Sequence, residues 1–265
     1  MSKFYAILLD TFLEIRSSKI IYLYAAITLV LLLVFGLFPS IDIESGNIPK
    51  GSLFSPELAS EVMAFFFSGF LGFVIFLMVF GSAWLLPAYL SRGRVELILS
   101  KPINRFRLLS MKFAAVFMIK SGILITMTIL IWIILAIRLD SFSGYFFFGL
   151  LLGCLQFLAI YTIVFAIGVI GRSGVLAIMG YFIIRIVSGL LSSREIVYNF
   201  LGDSVWKTII DIFYYILPKI GEMDSNYKSL MTGNGFSNTF AIYTTLAFSA
   251  ALFLITLFIF RRRDF

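Results

Sequence analysis

The sequence predicts an all-α membrane protein with six transmembrane helices, and three observations lead there. The chain has 265 residues, is 61% hydrophobic and has a mean hydropathy of +1.04, which is more apolar surface than a soluble core of this size can hide. Crossing a bilayer takes about 20 largely apolar residues, and six runs qualify: 20–38, 62–90, 113–137, 141–171, 173–193 and 240–260. They are too long and too uniformly apolar for barrel strands of about 10 alternating residues. Charge is also segregated. With the amino terminus inside, the leading Lys3, Arg16 and Lys19, the island 91–112 with Arg172, and the closing Arg261, Arg262 and Arg263 put thirteen basic and four acidic residues on one side. The other side carries six basic and ten acidic residues. Basic loops stay cytoplasmic, so both termini are expected in the cytoplasm, in the inner or plasma membrane of the cell.

Along the chain, 1–19 form a leader in which Phe4, Leu8, Phe12 and Ile15 recur at helical spacing, with Lys3, Asp10, Glu14 and Ser17 on the other side. This is the pattern of an interfacial amphipathic helix, since a span beginning there would carry Asp10 and Glu14 into hydrocarbon. No small-residue cleavage site follows the first apolar run, so the first span is expected to remain in the mature protein. The second span, 62–90, follows a turn-rich connector and holds Pro87, which is expected to end or kink it. The third contains Lys120, close enough to the cytoplasmic end to extend toward headgroups. Gly149 and Gly153 in the fourth permit close helix approach. The fifth carries Arg185 near its middle, where an ionisable residue faces protein or a water-filled path. Between 194 and 239 lies an outer loop. Within it, 205–217 have helical apolar spacing up to Pro218, giving an amphipathic helix whose apolar face suits lipid, a partner subunit or an exported molecule. All of 1–265 forms a single transmembrane domain.

Several chemistries are excluded by composition. There is no histidine, which removes the usual general base, the commonest metal ligand and any Ser-His or Cys-His pair. No metal site is expected, because the nine methionines are scattered and serve as core filler. The single cysteine, Cys154, lies within the fourth span and reads as a packing residue. No G-x-x-x-x-G-K-[ST] loop is present, so nucleotide hydrolysis by that route must come from a partner. The net charge of +7 is accounted for by membrane orientation, and no nucleic-acid partner is expected from basic residues so dispersed.

The island 91–112 stands out for its length, since connections between helices commonly take two to eight residues or so. Its run Arg92-Gly93, then Glu96-Leu97-Ile98-Leu99-Ser100-Lys101-Pro102-Ile103-Asn104-Arg105, then Leu108-Leu109 and Lys112, resembles the signature of ABC-2 type transporter permeases. The six spans, the amphipathic leader, the long last outer loop with Tyr214-Tyr215-Ile216-Leu217-Pro218 and the Arg-Arg-Asp-Phe end fit the same family. Arg94 departs from the threonine usual there, and Ser91 stands where an acidic residue is frequent.

The resemblance implies an ABC-2 fold of the type V exporter kind, with 92–104 as a cytoplasmic coupling helix seated on a separate ABC ATPase dimer. Arg92, Glu96 and Arg105 would make polar contacts to the ATPase, and Leu97 and Leu99 buried ones. It further implies a dimer of two permease copies or homologues, no enzyme activity in this chain, and ATP and magnesium held by the partner alone. Arg185 and Lys120 are then candidates for an interface or an anionic group inside the membrane. The competing reading is a non-catalytic membrane scaffold or immunity-type binding protein that moves no cargo.

Overall fold

The computed structural model describes residues 3–18, 20–36, 56–89, 104–139, 144–201 and 205–262, and no strand occurs among them. The helices among these residues are numbered in chain order. They are α1 (Lys3–Ser17), α2 (Ile20–Gly36), α3 (Pro56–Ala83), α4 (Leu85–Tyr89), α5 (Arg105–Leu139), α6 (Tyr145–Gly171), α7 (Gly174–Ser192), α8 (Arg194–Leu201), α9 (Val205–Ile216), α10 (Ile220–Met231) and α11 (Thr239–Arg261).

Five helical stretches are long and apolar enough to cross a membrane: Ser68–Tyr89, Arg105–Ile134, Tyr145–Gly171, Gly174–Ser192 and Thr239–Arg261. Such a set is compatible with a multi-pass membrane protein. The apolar helix α2 has 17 residues and is shorter than these.

The centre of the bundle is α6, which packs against α3, α5, α7, α10 and α11. Between Leu152 and Val169 none of its positions is exposed, as expected where an apolar helix is enclosed on every side, whereas its first turns leave Phe147, Phe148 and Leu151 exposed. Both Gly149 and Gly153 are buried in it. A Cβ on Gly153 would stand 3.0 Å from the Leu71 side chain, so that glycine permits the approach of α3. Around Phe113 of α5, the rings of Tyr161 (4.9 Å), Phe165 (4.8 Å) and Phe253 (4.5 Å) join α5, α6 and α11.

Local sequence explains the helix ends. Pro56 is the first residue of α3, where a missing N–H is harmless. Pro87 lies four residues after Ala83, the last residue of α3, so it cannot donate to the Ala83 carbonyl and its ring crowds that group. The chain therefore breaks at Trp84 and resumes as α4. A Cβ on Gly174 would stand 3.1 Å from the Ala83 carbonyl oxygen and 2.7 Å from the Trp84 ring, so only glycine lets α7 start there. At the head of α5, the Asn104 carboxamide oxygen accepts the Phe106 N–H at 3.0 Å, a side-chain cap.

Hydropathy places the third span at 113–137, whereas α5 begins at Arg105. Its first two turns hold Arg105, Arg107 and Lys112 and are helical without being apolar.

Candidate functional site

Three basic side chains on spanning helices organise the polar interior, two of them on one stripe. Leu109, Lys112, Val116, Lys120, Leu124, Met127 and Ile131 of α5 recur every three or four residues and are all buried. Lys112 and Lys120 are each 0% exposed.

Lys112 Nζ donates to Glu14 Oε2 at 2.8 Å and to Thr11 Oγ1 at 3.1 Å, with Asp10 Oδ2 at 3.7 Å. It also lies 4.3 Å from the centre of the Tyr89 ring, a cation–π distance. Leader helix α1 is thus fastened to α5 through its acidic residues, with Thr11 and Ile15 fully buried and Leu9, Phe12 and Leu13 exposed. Glu14 faces inward and Asp10 remains half exposed, so the polar stripe of the leader is divided between protein and surroundings.

Two turns further along α5, Lys120 Nζ donates to the Tyr24 hydroxyl at 2.8 Å, and that hydroxyl donates to the Leu77 carbonyl at 2.9 Å. One hydrogen-bonded chain therefore joins α5, α2 and α3. Instead of extending toward headgroups, Lys120 is enclosed, because Tyr24 offers it both an acceptor oxygen and a ring face at 4.6 Å. Gly81 makes the room for this junction, since a Cβ there would collide with the Tyr24 hydroxyl.

Arg185 lies on α7, where its Nη2 is 2.7 Å from Asp224 Oδ2. Gln156 Nε2 of α6 donates to the other carboxylate oxygen at 2.7 Å. Asp224 belongs to α10, a helix absent from the sequence expectation. Ile220, Met223, Asn226, Tyr227 and Leu230 of α10 are buried, and the helix wedges against α3, α6 and α7. Its other ties are polar as well. The Gly221 N–H donates to Ser188 Oγ at 3.1 Å, and Asn226 Nδ2 donates to the Asn238 carbonyl at 2.7 Å. Asn238 Nδ2 donates to Glu222 Oε2 at 2.6 Å.

With Arg185→Gln, Asp224 loses its countercharge, and Asp224→Asn does the same to Arg185. Each single variant is expected to lower the unfolding midpoint, and the double variant to recover part of the loss. The coupling energy should fall in the range of about 0.5–3 kcal/mol seen for contacting pairs. Additive effects in a double-mutant cycle of detergent-solubilised protein would remove any special role for the pair.

Tyr214 on α9 is buried between two cations, with the Arg194 guanidinium 3.9 Å and the Lys219 ammonium 4.4 Å from its ring centre. Burial, helped by a hydrogen bond to Glu222, pushes the Tyr214 phenol from 10.0 up to about 12. Burial pushes Lys219 downward. The signs are opposite. Stability from neutral Tyr214 is whole below pH 10.0 and is lost as pH rises toward about 12, whereas Lys219 disfavours the folded state less as it deprotonates. A Tyr214→Phe comparison isolates the first effect: the stability advantage of the wild type over the variant should shrink across that alkaline window, read by thermal melting. A pH-independent difference would contradict it.

Of the residues singled out by sequence, Arg92, Glu96, Leu97 and Leu99 lie outside the described residues. Arg105 is the half-buried first residue of α5. Lys120 and Arg185 occupy separate junctions, on α5 and α7. Among the described residues, no group of three or more Cys, Asp or Glu side chains could hold a metal ion. Comparison with known protein families and with curated proteins finds no match for this chain.

Proposed function

We propose that the chain is the permease subunit of an ATP-driven ABC-2 type exporter, with α2 as a sixth span. At about 1.5 Å per residue, 17 residues reach about 25 Å, close to the hydrocarbon thickness of about 30 Å. The subunit sits in the cell membrane with both termini in the cytoplasm. It pairs with a second copy or homologue and takes its energy from a cytoplasmic ABC ATPase dimer that alone binds ATP and magnesium.

The observation that carries this reading is how the island is framed. Its sequence resembles the coupling signature, and the residues on either side of its segment 92–104 converge on one ammonium. Tyr89, from the short helix before it, and Lys112, two turns into the helix after it, are in contact, and Lys112 ties both to the leader through Glu14. A segment that receives force from an ATPase needs both ends fixed to the body that must move, and this clamp supplies that fixture.

The test is affinity purification of the full chain from its native membranes, with a search for an ABC ATPase that comes with it. A stable complex with vanadate-sensitive ATP hydrolysis, weakened by Glu96→Arg and by Leu97→Asp, is the expected result. Failure of an ATPase to associate, or an associated ATPase insensitive to vanadate, would favour the scaffold reading instead.

A further inference from the structure

The helix α9 has two faces with opposite fates. Toward the protein it turns Lys207, Asp211 and Tyr214. Asp211 accepts the Tyr198 hydroxyl of α8 and lies 3.8 Å from Arg194, while Tyr214 is enclosed by Arg194 and Lys219. The opposite ridge carries Val205, Trp206, Ile212, Phe213 and Ile216, each more than half exposed. These positions fall within one apolar arc of the helix, separated by steps of one or three residues once Ile209, between Trp206 and Ile212, is counted.

We propose that this ridge is immersed in the surface of the same bilayer that the neighbouring helices cross, making α9 a monotopic anchor with lipid as its partner. Three observations on the fold favour lipid over protein. First, α9 rests on α7 and α11, beside the end of α7 at Ser192 and the start of α11 at Thr239, so it lies at the level where spans leave the membrane. Second, the ridge continues the apolar surface of those spans. Ile186 and Leu190 are exposed on the last turns of α7, and the exposed Tyr215 packs edge-on against the exposed Phe240 of α11 at 6.4 Å. Third, Trp206, Tyr215 and Tyr243 combine an apolar ring with a polar N–H or O–H. Side chains of this kind gather at membrane–water boundaries. An interfacial helix of this sort sinks its apolar face about 5–10 Å below the headgroups.

The anchor does not depend on the exporter reading, since any function in a membrane would leave it in place. The experiment uses the full chain with Trp84→Phe and Trp132→Phe, so that Trp206 is the sole tryptophan. The protein is reconstituted in phosphatidylcholine vesicles containing lipids brominated at defined chain depths. Trp206 emission should be quenched severalfold more strongly by bromine near the headgroup than by aqueous iodide. Stronger quenching by iodide would overturn the proposal by placing the ridge in water. Protection from both quenchers would also overturn it, by showing a protein cover such as a second copy. If the two Phe substitutions impair folding, Cys154→Ser with Ile212→Cys carries a nitroxide instead. Greater relaxation of that label by oxygen than by an aqueous nickel chelate supports lipid, and the reverse order rejects it.

Discussion

Replacing Lys112 by methionine is expected to destabilise the protein by about 3–5 kcal/mol, the usual cost of removing one partner from a buried ion pair. Methionine matches the length of the stem, so packing against Val116 and Tyr89 is largely kept and the loss is electrostatic. Glu14, only 14% exposed at its side chain, would then lose its 2.8 Å donor. Asp10, 54% exposed, remains solvated, so Asp10→Asn should change stability by less than about 1 kcal/mol. Adding Glu14→Leu to Lys112→Met should recover most of the loss, since an apolar pair of similar volume is often as stable as the ion pair it replaces. Unfolding midpoints of the two single variants and the double variant, measured in the same detergent, give the answer. A Lys112→Met protein within about 1 kcal/mol of wild type would mean that the leader is not held by this clamp.

How far such features can be read from sequence depends on the distance over which they are determined. Apolar length is a local property, and it locates the five long helices because each must be apolar over its own run. Their polar ends are not located that way: the charged first turns of α5 carry no hydropathy signal, yet they are helical and hold Lys112. The clamp itself joins positions 98 residues apart, and nothing near Glu14 announces that it faces a lysine rather than water. The leader shows the same limit, since its polar stripe resembles that of any interfacial helix whether or not a partner awaits one edge.

The helix α10 is hidden for a different reason. IGEMDSNYKSLM is too polar to read as part of a packed bundle, and it falls in a stretch that resembles an outer loop. Several of its polar groups are satisfied by other elements: Asp224 by Gln156 and Arg185, Asn226 by Asn238, and the Gly221 N–H by Ser188. A signal is nevertheless present. Ile220, Met223, Tyr227 and Leu230 recur at intervals of three and four, which is the stripe of a helix with one buried side. Arg185 offers a second clue, because a cation on an apolar helix calls for a counter-ion, and the acidic residues of the connecting segment are the nearest in sequence.

Gly81→Ala is expected to be as damaging as loss of the clamp, although it adds a single methyl group. The new Cβ would collide with the Tyr24 hydroxyl and stand 2.8 Å from Lys120 Nζ and 3.0 Å from Ile20 Cγ2, with Tyr24 and Lys120 both enclosed. Tyr24 cannot retreat without giving up the Leu77 carbonyl, and its departure leaves Lys120 buried with no acceptor at Nζ from that ring. A buried polar group stripped of its partner costs about 1–3 kcal/mol, and more when it is charged. The collision and the lost hydrogen bonds act through one atom, so the variants should be strongly non-additive. Tyr24→Phe removes the oxygen that Gly81→Ala would strike. The alanine should therefore do less harm in the Tyr24→Phe background, where only the contacts with Lys120 and Ile20 remain, whereas in wild type it should lower the unfolding midpoint sharply. Tyr24→Phe should in turn cost less once Lys120→Met has removed the donor, because only the bond to the Leu77 carbonyl is then left to lose. If Gly81→Ala costs the same with and without the Tyr24 hydroxyl, the three residues do not form one junction. The harm would then come from α2 being pushed away from α3 at Ile20.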